Sequence, residues 1–396
     1  MSDLLFLAHR APFPPDRGDK IRSYNVVAHL AERARVHLIA FGETPADRIP
    51  PPELVDRLAS WTIVPRTRSR ARAAIEAVLT GRPVSLVAFA DPRMTAAVAR
   101  VRRSHPIATT YAFSGQMAQY AGPGRLIMDF VDVDSAKFAG LAKSARGQVR
   151  WVLAREARLL NAYERAVADR AEASLFVSDA EADLFRSGGG GGSVLTVENG
   201  IDADHFDPAA TFDAMPDGAP LVVFTGQMDY QPNIDAVTWF ARAVLPTIRA
   251  RHPGARFAIV GRAPTPAVTA LGSREGITVT GAVADVRPWL AAADVAVAPL
   301  RLARGVQNKV LEAMAMACPV VASPQAAEGI DHAGAIRVAD EDAFVDTVSA
   351  LLADRAAANA LGQAARARVI ARYGWPARLA PLDALLGLGE PIRRAA

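Results

Sequence analysis

Short apolar runs recur along the whole chain, separated by longer stretches with helical spacing. In the first half they fall at residues 4–8, 36–41, 61–64, 107–110, 125–131 and 173–177, with helical patterns at 21–32 and 143–167. In the second half they fall at 221–224, 256–260, 277–280, 295–299 and 319–322. Such alternation predicts parallel sheets with helical crossovers, an α/β class. Both halves open in the same way, as strand, glycine-bearing loop and helix. The runs at 256–260 and 277–280 end in Gly261 and Gly281. Residues 340–373 read as helices. Trp375, Leu379, Leu382, Leu385 and Leu386 then mark a terminal amphipathic helix.

The pattern divides the chain into a first domain over 1–202, a linker rich in Asp, Pro and Ala over 203–220, and a second domain over 221–375. Residues 376–396 form a helix expected to cross back onto the first domain. A length of 396 residues suits two cores rather than one. With 51% hydrophobic and 22% charged residues, the chain is a folded globular protein. The formal net charge of +4 fits anionic substrates, and also contact with an anionic membrane surface. It falls short of a dedicated nucleic-acid binder. The arginines at 66, 68, 70, 72, 82, 100, 102 and 103 read as solvated helix faces or as a patch for lipid headgroups.

The single cysteine, Cys318, excludes a disulfide within the chain, and its apolar neighbours predict a buried structural thiol. The opening run at 4–8 is too short for a signal-peptide core, and no run is long enough to cross a bilayer. A cytoplasmic protein is therefore expected. Five glycines between Ser187 and Ser193 predict a flexible surface loop. No Gly-Lys-Ser/Thr follows, so it is not a phosphate loop.

Residues 294–323 carry the most chemistry. A buried strand runs into Arg304-Gly305, then into a helix from about Val306 that bears Lys309 and Glu312, then into another buried strand. Ligands of open α/β sheets bind at the carboxyl ends of the strands. A helix starting there offers N–H groups and a positive dipole end to a diphosphate. Lys309 and Glu312, three residues apart, share a helix face. The cation suits phosphate and the carboxylate suits ribose hydroxyls. Spacing alone equally allows a surface ion pair.

Leu311-Glu312-Ala313-Met314-Ala315, followed by Pro319-Val320-Val321, resembles the donor-binding segment of the group 1 (family 4) glycosyltransferases. Asn199-Gly200-Ile201-Asp202, Ser178-Asp179-Ala180-Glu181 and Asp285-Val286-Arg287 are similar to further elements of that family. The resemblance implies the GT-B fold: two Rossmann-like lobes with parallel sheets facing a cleft, the sugar donor held by the second. It gives Glu312 the ribose-binding role. The family's first glutamate falls at position 304, where this chain has Arg304, so Arg304 and Lys309 look like a diphosphate clamp. The loop 226–233 has Pro232 where the family has a lysine, which Lys309 or Arg262 would replace.

The expected donor site is Gly226, Gln227, Arg262, Gly305, Lys309 and Glu312, with Lys309, Arg304 and Asp132 as catalytic candidates. The acceptor side is assigned to Gly18, Asp19, Lys20 and Arg22. There the plain alternative is a turn at Gly18 and a helix cap at Asp19. Asp129, Asp132 and Asp134 invite a metal reading through the Asp-x-Asp form. However, two-lobed enzymes of this kind use cations and helix ends, so no metal or other cofactor is expected. Residues 10–22, 129–135 and 226–233 together resemble a subgroup associated with exosortase (PEP-CTERM) exopolysaccharide systems.

The implied activity is transfer of a sugar from a nucleotide-diphosphate sugar to a glycan or lipid-linked acceptor, with retention. It would take place in the cytoplasm or at the inner face of the plasma membrane. The alternatives are a nucleotide-sugar epimerase of the same fold and a non-catalytic two-lobed sugar-binding protein. A nicotinamide-dependent oxidoreductase is disfavoured, because no Gly-x-Gly-x-x-Gly follows the first strand.

Overall fold

The computed structural model describes residues 3–15, 18–212, 219–303 and 306–390. The chain forms two compact units, Met1–Asn199 with Arg378–Ala396, and Gly200–Ala377. The first holds strands β1 (Asp3–Ala8), β2 (Arg35–Gly42), β3 (Ser60–Pro65), β4 (Ile107–Phe113), β5 (Arg125–Val131), β6 (Ala173–Phe176) and β7 (Val194–Thr196). They lie in the order β3-β2-β1-β4-β5-β6-β7, and every neighbouring pair is parallel.

The second unit holds β8 (Leu221–Thr225), β9 (Arg256–Val260), β10 (Ile277–Gly281), β11 (Val295–Ala298), β12 (Val320–Ala322) and β13 (Arg337–Val338). Their order is β10-β9-β8-β11-β12-β13, again parallel throughout. Each unit is thus a Rossmann-like α/β lobe, as expected. The continuous apolar runs follow from this layering. A central parallel strand is covered on both faces, so β1, β8 and β11 are buried at every position.

Each sheet grows outward from its first strand in one direction, then restarts beside that strand and grows in the other. The reversal falls between β1 and β4 in the first unit, and between β8 and β11 in the second. The loops leaving those strands diverge there and open a crevice at their carboxyl ends.

Two local expectations meet the structure differently. Cys318 is buried, and burial pushes its thiol up to about 12, so it is an inert packing group. The glycine tract lies at the surface as expected, and Gly190 within it packs closely. Gly190 N–H donates to the carbonyl of Phe185 at 3.0 Å, and a Cβ on Gly190 would sit 2.2 Å from the Phe185 ring. The turn closes the helix Asp179–Ser187, and at Gly190 any larger residue would clash.

The segment 203–212 is held to the second unit by side chains. Arg366 donates to the carbonyl of Phe206 at 2.7 Å, and Arg287 to that of His205 at 2.9 Å. The last helix, Trp375–Leu386, starts in the second unit, and from Arg378 onward the chain belongs to the first. There Asp383 meets His29 at 2.8 Å, and Arg125 donates to the carbonyl of Leu385 at 2.5 Å.

Candidate active site

At the β8/β11 reversal two glycines bring two loops together. Gly226 follows β8 and Gly261 follows β9, and the Gly226 N–H donates to the carbonyl of Val260 at 3.0 Å. A Cβ on Gly261 would lie 1.7 Å from the Gly226 carbonyl oxygen. Only hydrogen fits, and Gly261 also holds φ at +150°. The loop then turns into the helix Gln231–Trp239. Its Asn233 amide donates to the carbonyl of Gln227 at 2.8 Å, pinning the loop from within. Arg262 donates to the Gln227 side chain at 2.9 Å and is otherwise exposed.

Lys309 reaches this same loop from the helix Asn308–Ala315. That helix is the crossover from β11 to β12, so its amino end lies at the carboxyl ends of the strands. The Lys309 ammonium donates to Asn233 Oδ1 at 2.5 Å and sits 4.2 Å from the centre of the Phe224 ring. A Cβ on Gly226 would come within 3.1 Å of the ammonium and 2.9 Å of the Asn233 amide. Gly226, Asn233 and Lys309 thus form one contact. Glu312 is one turn further on, half-buried, and its carboxylate has no hydrogen-bond partner among the described residues.

The charges respond to this setting. Burial lowers Lys309 to about 8 against the opposing pull of Glu312. Burial raises Glu312, and Lys309 only partly offsets it. A cation and a carboxylate half out of water, beside a glycine loop and a helix amino end, can take up a polyanion and hydroxyl groups together. The two remaining expected residues, Arg304 and Gly305, lie outside the described residues. Beyond the carboxyl ends of β11, β12 and β13 a cavity of about 470 Å³ opens, lined by Trp239, Arg301, Ser323, Gln325 and Glu341 among others.

The first unit carries a second charged cluster at its own reversal point. Asp19 Oδ2 accepts from Arg10 at 2.6 Å and lies 3.3 Å from His9 Nε2, and Arg10 lies 3.3 Å from Glu43. Arg66 joins Glu43 at 3.0 Å. Burial alone would raise the Asp19 carboxyl. The hydrogen bonds from His9 and Arg10 outweigh it and hold Asp19 well below the usual carboxylate range. Gly18 opens the helix Gly18–Ala31, with free space around its Cα.

Lys20 and Arg22 do not join that cluster. Lys20 is 2% exposed and bonded to Asp47 at 2.6 Å. Arg22 is 1% exposed; it bonds Asp129 and donates to the carbonyl of Val197 at 2.7 Å and to Asn199 at 3.0 Å. Both charges are neutralised inside the lobe, which corrects their expected display to an acceptor.

Comparison with known proteins bears directly on the second unit. The family described as "Glycosyl transferases group 1" matches residues 219–354. A GDP-mannose-dependent alpha-(1-6)-phosphatidylinositol monomannoside mannosyltransferase of Mycobacterium tuberculosis is 30% identical over 276 residues, 62% of this chain and 70% of its own. The chain belongs to the group 1 glycosyltransferases. Among solved structures, a sucrose-phosphate synthase from Thermosynechococcus elongatus superposes with a TM-score of 0.61 at 17% identity, over 98% of each chain. Anabaena HepE in complex with UDP superposes with a TM-score of 0.60 at 15% identity, over 98% of this chain and all of its own. These likenesses assign the GT-B fold.

Within this glycosyltransferase the three aspartates of 129–134 divide between two sets of partners. Asp129 is fully buried between Arg22 and the Tyr111 hydroxyl, 2.7 Å away. Asp132 and Asp134 both meet the Lys137 ammonium, at 2.7 and 3.4 Å. Asp132 stays partly exposed and available to a hydroxyl. Glu181 of the Ser-x-x-Glu element accepts from the Val133 N–H at 2.7 Å, and Ser178 caps the Glu181 N–H. That element ties a loop. No helix of the described residues is long and apolar enough to cross a membrane.

Asn233, Phe224 and Glu43 were not singled out from the sequence, and Arg66 was read only as part of a basic run. Asn233 carried a signal, as the end of the glycine loop. Phe224 and the pairing of Glu43 with Arg66 emerge only when distant strands are brought together.

Proposed function

We propose that this glycosyltransferase takes its sugar from a nucleotide-diphosphate sugar whose diphosphate lies between the Gly226 loop and Lys309. The observation that carries this reading is the Lys309 ammonium itself. It arrives at the glycine loop from another helix, where the loop has Pro232 in place of a cation. When the bond to the anomeric carbon breaks, negative charge grows on the departing phosphate oxygen. A preplaced ammonium and helix N–H groups lower that barrier. Arg304 and Gly305 complete the clamp in this proposal, Glu312 accepts from ribose hydroxyls, and Arg262 and Gln227 border the phosphates.

UDP in the HepE complex and GDP-mannose in the name of the mycobacterial relative support a nucleotide-sugar donor, without choosing the base. The acceptor is a glycan or a lipid-linked sugar, the configuration is retained, and the pathway builds a bacterial exopolysaccharide. Asp132, Gly18 and Asp19 are the acceptor-side candidates that remain open to solvent. The chemistry needs no metal in this scheme, since fixed cations supply the charge.

Contact with an anionic membrane surface is supported by Ile75, Val78 and Leu79 on the helix Arg70–Thr80. Val149, Trp151 and Val152, beside Arg146 and Arg150, add a second exposed apolar group. Sedimentation with phosphatidylglycerol vesicles checks it: the wild type should pellet, and Trp151→Asp with Leu79→Asp should stay in the supernatant.

The central test is a thermal-shift panel of UDP, GDP, ADP and their sugars, followed by donor turnover. Lys309→Ala should lower turnover by about 100-fold, the scale of removing one preorganised charge donor, with an unchanged fold. Wild-type catalytic efficiency in Lys309→Ala would sink the proposal.

A further inference from the structure

Asp3, His37 and His105 meet at the amino end of the first sheet, the end opposite the crevice. Topology alone brings them there. Asp3 opens β1 and pairs with Arg35 on one side and Ile107 on the other. His37 lies two residues beyond Arg35, on the same face of β2. His105 lies two residues before Ile107. One ligand atom from each falls within 4.8 Å of the others. Asp3 Oδ2 is 3.1 Å from His37 Nε2 and 3.8 Å from His105 Nδ1, and the two rings are 4.2 Å apart.

We propose that these three side chains bind one divalent zinc-class ion. Two imidazole nitrogens and one carboxylate oxygen are a zinc ligand set, with the fourth position left to water. Bonds of about 2.0–2.1 Å in a tetrahedron put ligand atoms roughly 3.3 Å apart. The observed 3.1 and 3.8 Å bracket that separation. Two nitrogen donors with a single carboxylate disfavour magnesium and calcium, which take oxygen.

The surroundings complete the site. His37 Nδ1 lies 2.7 Å from Ser60 Oγ, and Asp3 Oδ1 accepts from Arg35 Nε at 3.1 Å. On two of the three ligands the atom that would not touch the ion is therefore already held, as outer partners hold the ligands of metal sites. With its Nδ1 proton given to Ser60, His37 turns the Nε2 lone pair toward Asp3 Oδ2. A cation between them makes that arrangement favourable. Without one, the proton moves to Nε2 and the serine hydroxyl donates instead, so binding shifts the neutral ring from one tautomer to the other. His37 is fully buried and Asp3 nearly so, while His105 is about one-third exposed and gives the ion its entry. The bound ion would tie β1, β2 and the turn before β4 into one corner.

The experiment uses the full chain, stripped with EDTA and exchanged into metal-free buffer. Zinc is titrated by calorimetry, and cobalt by its visible absorption. One equivalent should bind per chain, raise the melting temperature, and give the intense bands of tetrahedral cobalt, which zinc then abolishes. His105→Ala changes the most exposed ligand and leaves the buried Asp3–His37 pair in place. It should lose both the bands and the thermal shift. The proposal is overturned if the wild type gives neither, or if His105→Ala retains one-equivalent uptake with the same spectrum.

Discussion

Lys309 links the electrostatics of the second lobe to a measurable pH dependence. Its ammonium is lowered from an ordinary 10.5 to about 8, chiefly by burial. The folded chain therefore binds fewer protons here than the unfolded chain between pH 8 and 10.5. Below 8 both states are charged and the full cost of burying the charge is present; that cost fades as pH rises through the window. A bound diphosphate acts the other way, because it favours the charged amine and raises its pKa. Affinity for UDP, or for whichever nucleoside diphosphate gives the largest thermal shift, should be flat below about pH 8. Above that it should fall by up to about tenfold per pH unit. Calorimetry at pH 8 in two buffers of different ionisation enthalpy should register proton uptake on binding. Lys309→Ala should lose both effects. A pH-independent affinity from 7 to 10 in the wild type would remove Lys309 from the phosphates.

At the level of elements, most strands that frame the site were legible as apolar runs closed by a turn residue. β8, β9 and β11 run directly into glycine or proline, β12 meets Ser323 before Pro324, and β10 alternates apolar residues with threonine before Gly281. β7 and β13 were not legible. They are three and two residues long and partly exposed, too short for any period to register. Helix faces were harder to read. Lys20, Ser23, Val27 and Leu30 follow 3-4-3 spacing and are all buried, as is Arg22 with Val26. The charges of Lys20 and Arg22 drew attention to the solvent side, while their partners Asp47 and Asp129 lie 27 and 107 residues away. The glycine loops carry a sharper prediction. In Gly261→Ala the new methyl meets the Gly226 carbonyl and must push the β8 and β9 loops apart. An overpacked backbone contact costs about 1–3 kcal/mol. Nucleotide binding should fall further than global stability, because the displaced loop is the one Lys309 touches. Gly18→Ala, where nothing lies within 4 Å of the added Cβ, is the matched control and should lose neither. Nucleotide affinity in Gly261→Ala equal to that of the control would show that the loop contact does not shape the site.

At the level of the whole molecule, the chain completes its first unit with its last residues. Leu379, Leu382 and Leu386 are buried, Asp383 reaches His29 and Arg33, and Arg125 of β5 closes on the carbonyls of Leu385 and Leu386. Burying one leucine contributes roughly 1.5–3 kcal/mol, and a domain holds only about 5–15 kcal/mol in total. A chain ending at Ala377 would expose this surface at a cost comparable with the stability of the first unit. Because the residues removed belong to that unit alone, the second should keep its core and its nucleotide site. Hydrogen exchange of the truncated chain should therefore show protection lost over residues 18–31 and 125–131. It should be retained over 221–225 and 308–315, with the UDP thermal shift still present. Equal loss of protection in both sets would mean that the two units fold as one cooperative body. Equal retention would mean that the terminal helix adds little to the lobe it covers.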